Sequence, residues 1–248
     1  MTSPQERWIA DAAEGDPARE AELRARWEAG EPLQYVLGRW GFRSLDLAVD
    51  PRALIPRPET EVLVEVALSF CPAPRQVVDL GTGTGAIALS VASECPAAEV
   101  WAVDISPDAL ELARCNDVSG RVRFLHGDWY GALPTELMGD VDLIVSNPPY
   151  VSELEYAQLD AVVREWEPRS ALVSGPTGLE CLATVIAGAS AWLAAGGVLA
   201  LECAPHQTEQ VARLCSAHGL VDPASHPDLT GRARVVTAKQ GHQPSSVR

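Results

Sequence analysis

From residue 76 onward the chain alternates between two kinds of apolar pattern. Short, nearly continuous apolar runs of strand length occupy 76–80, 99–104, 121–126, 141–146, 197–203 and 233–238. Most of the stretches between them carry helical spacing, at 85–92, 107–113, 179–195 and 207–217. Unbroken apolar runs mark strands covered on both faces, and their alternation with helices predicts a mostly parallel, doubly wound sheet of the α/β class. Ligands bind beyond the carboxyl ends of the strands in such sheets, so chemistry is expected there.

Ahead of residue 76 the pattern changes. Helices rich in Glu, Arg and Ala are expected at 4–13 and 18–29, with only Ile9, Leu23 and Trp27 as an apolar face. That is too little to stand alone, so this segment is expected to dock on the rest. Partial alternation over 40–49 predicts a small hairpin. The run Ile55-Pro56-Arg57-Pro58-Glu59-Thr60-Glu61 predicts a stiff loop opening a helix to about Phe70, with Glu59 and Glu61 in a first turn whose dipole favours acids. Residues 181–201 carry no charge, the length of a membrane span. Gly196-Gly197 interrupts them, however, and the pattern predicts a packed helix, a turn and a buried strand over 198–201.

Charge and cysteine content narrow the setting. The 248 residues include 34 acidic and 19 basic side chains, a net charge of −15, so phosphate backbones are repelled and nucleic acid is not an expected partner. The first 30 residues lack the basic start, apolar stretch and cleavage site of a secretory signal, and a cytoplasmic location is expected. The six cysteines form no C-x-x-C pair and are expected to be reduced thiols. Two C-x-x-H pairs, Cys203/His206 and Cys215/His218, have zinc-like spacing. The first straddles Pro205 at a strand end and the second lies on a helix, so no metal is expected.

Four motifs fall at strand ends. In Val77-Val78-Asp79-Leu80-Gly81-Thr82-Gly83-Thr84-Gly85 a strand ends in alternating glycines that open a helix, letting bare backbone approach a ligand where a Cβ would collide. Gly81, Gly83 and Ala86 also satisfy a dinucleotide pattern, so this cradle alone does not separate NAD from S-adenosylmethionine. Asp104 ends the next strand, 23 residues after Gly81, where a carboxylate can accept from both ribose hydroxyls. After the third strand come Asp128, suited to an exocyclic adenine amine, and Trp129, suited to walling the ring.

The fourth motif, Asn147-Pro148-Pro149-Tyr150, follows the strand over 141–146. Its prolines stiffen the loop and carry no N–H, so the Asn147 side-chain oxygen and the Pro148 carbonyl form an acceptor pair suited to a planar –NH2 group. Tyr150 offers a face for that group to lie on.

In this order the glycine loop, Asp104 and Asn147–Tyr150 resemble the Rossmann-like class I S-adenosylmethionine-dependent methyltransferases that modify planar amino groups. The segments Pro32-Leu33-Gln34-Tyr35-Val36-Leu37-Gly38, Ile55–Glu61 and Trp166-Glu167-Pro168-Arg169-Ser170-Ala171-Leu172 narrow the likeness, as does Gly231-Arg232-Ala233-Arg234-Val235-Val236. Together they resemble the HemK/PrmC family of peptide chain release factor glutamine methyltransferases, from about Glu31 to Lys239. The resemblance implies transfer of a methyl group to the side-chain nitrogen N5 of the Gln in the Gly-Gly-Gln motif of class 1 release factors. It implies cofactor contacts from Gly81, Thr82, Gly83, Thr84, Gly85, Asp104, Asp128, Trp129 and Asn147. Asn147, Pro148, Pro149 and Tyr150 would hold the substrate amide, with Asn147, Pro148 and Tyr150 as the catalytic set.

The organisation expected is a reduced N-terminal helical segment (1–38), a hairpin and linker helix (39–74), the methyltransferase domain (75–240) and a tail (241–248). Members of this family usually carry a multi-helix N-terminal domain that engages the release factor. Only 30 residues precede Glu31 here, so either a reduced domain or an incomplete start is expected.

An amide nitrogen is a poor nucleophile, and acceptors that fix both of its N–H bonds would make catalysis a matter of orientation and electrostatics, with no general base evident. A DNA or RNA amino methyltransferase shares the motif, but the acidic balance weighs against it. An NAD oxidoreductase would need a second mononucleotide-binding half and leaves Asn147–Tyr150 without a task. A non-catalytic binding module is opposed by the intact motif.

Overall fold

The computed structural model describes residues 3–241; the tail expected at 241–248 lies, beyond Gly241, outside the described residues. Two capped helices begin the chain. Ser3 and Glu6 exchange reciprocal hydrogen bonds across the first turn of α1 (Pro4–Ala12), and Asp16 caps α2 (Pro17–Glu28), each helix starting with the proline favoured there. With the short α3 (Leu33–Leu37) they enclose a small core of Ile9, Ala13, Leu23 and Val36. The docking expected from this thin apolar face runs through Tyr35, which joins the main core, and through the edge-to-face contact of Trp8 with Trp40 at 6.0 Å. Trp40 belongs to the hairpin of β1 (Arg39–Phe42) and β2 (Leu45–Ala48). Then α4 (Pro58–Phe70) leads into the α/β unit.

That unit runs β3 (Gln76–Leu80), α5 (Ala86–Glu94), β4 (Glu99–Asp104), α6 (Pro107–Asn116), β5 (Val122–His126) and β6 (Val141–Ser146). An insertion follows: β7 (Val151–Ser152), α7 (Glu153–Tyr156), α8 (Ala161–Trp166), α9 (Arg169–Leu172) and β8 (Val173–Gly175), with β7 and β8 paired in parallel. The chain closes with α10 (Glu180–Trp192), β9 (Leu193–Glu202), α11 (Thr208–Ala217), β10 (Leu220–Pro227) and β11 (Ala233–Gln240). The strands form one seven-stranded sheet in the order β10-β11-β9-β6-β3-β4-β5, parallel from β9 to β5, with β11 alone running against the rest and pairing antiparallel with both β9 and β10.

Strand alternation divides the core in two. Val77, Val100, Leu143, Val145 and Val198 face α4 and α5, whereas Val78, Val103, Ile144, Leu199 and Leu201 face α10 and α11, every one buried. Burial on both faces is the reason these strands read as continuous apolar runs.

Two segments depart from expectation. β9 begins at Leu193 rather than at residue 197, because the Gly196-Gly197 turn is taken up as a register irregularity inside the strand. Gly196 has φ +80°, and a Cβ on Gly197 would lie 2.8 Å from the Val141 carbonyl oxygen. Residues 181–201 thus divide between α10 and β9, and among the described residues no helix is long and apolar enough to cross a membrane. β10 has no counterpart in the apolar pattern: it contains Pro223 and Pro227, which an edge strand tolerates because one side of it needs no ladder donors.

Candidate active site

The carboxyl ends of β3, β4 and β6 open together on a cavity of about 390 Å³. The glycine loop forms one wall. Gly81, Gly83 and Gly85 all have positive φ (+76°, +56° and +83°), a conformation that costs glycine nothing. The loop is tied to the end of β4: the Gly81 and Thr82 N–H groups donate to the Val103 carbonyl, and the Gly83 N–H donates to Asp104 Oδ2 at 2.8 Å. Asp104 Oδ1 accepts from the Ser106 N–H at 2.9 Å, while burial raises its carboxyl above the usual range.

Asp79 is fully buried at the end of β3. Its Oδ2 accepts from the Thr82 hydroxyl at 2.6 Å and the Ala88 N–H at 3.2 Å, but Oδ1 has no partner, and burial pushes the carboxyl up to about 7.

Asp128 and Trp129 line the cavity beyond β5. Trp129 adopts φ +44°, rare for a large side chain, and its ring lies against Gly81, where an added Cβ would sit 3.7 Å from it. Such a conformation persists only when its surroundings impose it, and here the neighbouring core does so.

At the end of β6 the Ser146 hydroxyl donates to the Leu80 carbonyl at 2.6 Å, fixing the start of Asn147–Tyr150 against β3. Asn147 and Pro149 line the cavity; Pro148 is buried, and neither it nor Tyr150 nor Gly85 is among the lining residues. Asn147 Nδ2 donates to Thr60 Oγ1 at 3.1 Å, Thr60 Oγ1 donates to Glu202 Oε2 at 2.7 Å, and the Tyr150 hydroxyl donates to Glu202 Oε1 at 3.2 Å. Burial pushes Glu202 up to about 7, against the hydrogen bonds and the Arg234 charge that favour its ionised form. Burial also raises the Tyr150 phenol, and the adjacent Glu202 adds to the effect. The side-chain amide of Gln207 donates to the Tyr150 carbonyl at 2.9 Å and to the Gly178 carbonyl at 3.2 Å, clamping the far end of the loop. Sequence reasoning named none of Thr60, Glu202 and Gln207 as site residues.

A roof closes the cavity from the other side. Glu167, buried to 1% side-chain exposure, pairs with Arg57 and accepts from the Ile55 N–H at 3.1 Å. The Tyr35 hydroxyl donates to the Ala53 carbonyl at 2.8 Å, connecting the N-terminal segment to the same roof. Glu167→Ala removes the acceptor of two donors but leaves Arg57 partly in water. A loss of about 2–4 kcal/mol is expected, less than for a fully buried pair. Calorimetry should show Tm falling by about 5–12 °C, and a Tm within about one degree of wild type would mean the roof is held otherwise.

Among the described residues the C-x-x-H pairs form no group of three or more His, Cys, Asp or Glu side chains placed to hold a metal ion. Cys203 and Cys215 are buried with their thiols pushed up to about 12, and His206 faces Glu155 at 3.4 Å.

The strand order, with β11 alone running against the other strands and a cavity above the middle of the sheet, is the class I methyltransferase fold. A family model described as methyltransferase small domain matches residues 58–166. A methyltransferase from Pyrococcus furiosus shares the fold at TM-score 0.60 and 18% identity, over 90% of this chain and 100% of that one. The E. cuniculi Mtq2–Trm112 complex, described as responsible for methylating the translation termination factor eRF1, matches at TM-score 0.55 and 19% identity, over 77% and 99%. The release factor glutamine methyltransferase of Bordetella pertussis is 46% identical over 228 residues, 89% of this chain and 83% of that protein. Its counterpart in Streptomyces coelicolor is 43% identical over 228 residues, 90% and 81%. The chain belongs to the release factor glutamine methyltransferase family.

Proposed function

We propose that this enzyme transfers the methyl group of S-adenosylmethionine to N5 of the glutamine in the Gly-Gly-Gln motif of class 1 release factors, and does so in the cytoplasm. The observation that carries the reading is the fixed amide of Asn147. With Nδ2 committed to Thr60, Oδ1 remains as an acceptor in a cavity-lining residue at the end of β6. An acceptor so placed selects a donor such as a carboxamide –NH2.

The cavity also fits the cofactor. Its volume is in the range of small-molecule sites, and its walls combine the apolar Trp129 and Ile105 with the carboxyls of Asp104 and Asp128. In this reading Gly81–Gly85 cradle the cofactor, Asp104 takes the ribose hydroxyls, and Asp128 and Trp129 hold the adenine. When bound, S-adenosylmethionine supplies a methyl group on a sulfonium leaving group. The protein's part is to fix both N–H bonds of the substrate amide through Asn147 Oδ1 and the Pro148 carbonyl, with Pro149 lining the cavity and Tyr150 bracing the loop from behind, so that the nitrogen lone pair is aimed at the methyl group and the nitrogen gives up one proton to water after the transfer. Residues 75–240 would carry this chemistry, and the segment before them would help close the roof.

Incubation with methyl-labelled S-adenosylmethionine and, separately, a purified release factor and total RNA tests the assignment. A single added methyl on the Gly-Gly-Gln glutamine is expected; label in RNA alone would overturn it.

A further inference from the structure

We propose that Thr60 and Glu202 are positioning residues that set which end of the Asn147 amide meets the substrate, and that the protonation state of Glu202 switches this setting. The inference rests on the reading above and adds two residues to it.

Each hydroxyl in this cluster has a single proton to place. A threonine hydroxyl has one proton, and Thr60 gives it to Glu202 Oε2 at 2.7 Å. Its oxygen can then only accept, which obliges Asn147 to turn Nδ2 toward it, at 3.1 Å, and to keep Oδ1 for the cavity. Tyr150 spends its single hydroxyl proton on Glu202 Oε1 in the same way. As a carboxylate Glu202 is acceptor-only and takes both hydroxyl protons; once protonated it has a proton of its own to place among the same two hydroxyls.

Protonated, Glu202 donates to one of them. When Thr60 is that one, its own proton is free to meet Asn147 Oδ1, and the amide can reverse and offer –NH2 to a substrate that also offers –NH2. Two donors face to face repel.

Glu202 is 1% exposed at the end of β9, and its ionisation near neutral pH is decided by the groups around it. The Arg234 charge on β11 and the hydroxyls of Thr60 on α4 and Tyr150 favour the carboxylate; burial and the Glu59 charge on α4 oppose it, leaving the carboxyl at about 7. Cys203, whose thiol burial holds neutral, follows it in sequence just past the end of β9.

Turnover separates this role from a merely structural one. Thr60→Val keeps the shape and removes the hydroxyl; kcat should fall about 10- to 100-fold with the KM for the cofactor changed by less than about threefold. Thr60→Ser should restore kcat to within about threefold of wild type. Wild-type kcat should decline on acidification with a midpoint near 7, and Glu202→Gln, which cannot ionise, should abolish that limb.

A readout independent of turnover is available because the chain holds just two asparagines, Asn116 and Asn147. In the 15N-asparagine-labelled protein the Asn147 side-chain –NH2 signals should shift with the same midpoint as the Glu202 carboxyl carbon. Those of Asn116, bonded to Ala48 and Thr84, should stay put. In Thr60→Val the coupling should vanish. Wild-type kcat in Thr60→Val, or Asn147 signals indifferent to the titration of Glu202, would overturn the inference. A wild-type enzyme that methylates no release factor would instead overturn the function proposed above, while the NMR titration still decides the positioning role.

Discussion

Asn147→Ala is expected to lower kcat for release factor methylation by about 100- to 1,000-fold, the scale seen when one preorganised polar group at a reacting centre is removed. Asn147 Nδ2 is committed to Thr60, so truncation deletes a free, oriented acceptor rather than a mobile side chain. The substrate nitrogen, delocalised into its carbonyl, depends on that orientation to present its lone pair to the methyl group. The adjoining loop should survive the change. Ser146 still donates to Leu80, Gln207 still clamps the Tyr150 carbonyl, and Tyr150 still reaches Glu202. The cofactor walls proposed at the glycine loop and Asp104 lie on other strands, so S-adenosylmethionine affinity should fall by less than about tenfold. Calorimetric titration with the cofactor beside a single-turnover methylation assay separates the two quantities. Turnover near the wild-type rate would remove Asn147 from the catalytic set.

The same residues show how far sequence reasoning reaches. β3, β4 and β6 were legible to the residue, because strands buried on both faces stand out between the glycines, prolines and polar caps that bound them. The glycine loop, Asp104 and Asn147 were legible for a related reason: each sits at the end of such a strand. β10 was hidden by its prolines and exposed polar positions, and its strand character comes from pairing with β11. The short elements between β6 and α10 were hidden because pieces of two to six residues take their shape from neighbours rather than propensity.

Among the site residues, the ones missed act across distance. Thr60 meets Glu202 over 142 positions and Asn147 over 87, and Gln207 reaches Tyr150 over 57. No local window contains those pairs. Glu202 alone left a trace, as an acid closing the buried run Val198-Leu199-Ala200-Leu201, where an unpaired charge would be costly.

Asp104→Ala should weaken S-adenosylmethionine binding by about 100-fold or more, since hydrogen bonds to a charged acceptor contribute roughly 1.5–3 kcal/mol each. Two losses combine. The first is the proposed pair of bonds to the ribose hydroxyls. The second is the shape of the cradle, because Asp104 Oδ2 holds the Gly83 N–H and Oδ1 holds the Ser106 N–H. Asp104→Asn separates them: it preserves volume and one acceptor but turns an –NH2 toward one of those backbone donors, and should cost about tenfold. Acidification provides a check without mutation. Burial raises the Asp104 carboxyl above the ordinary aspartate value, so its charge is lost at a higher pH than for an exposed aspartate. Cofactor affinity should therefore be full at alkaline pH, where the carboxylate is ionised, and should fall as pH drops through that raised value. Asp104→Asn should flatten this dependence. Isothermal titration across pH measures all three, and wild-type affinity in Asp104→Ala would mean that the ribose is anchored elsewhere in the cavity.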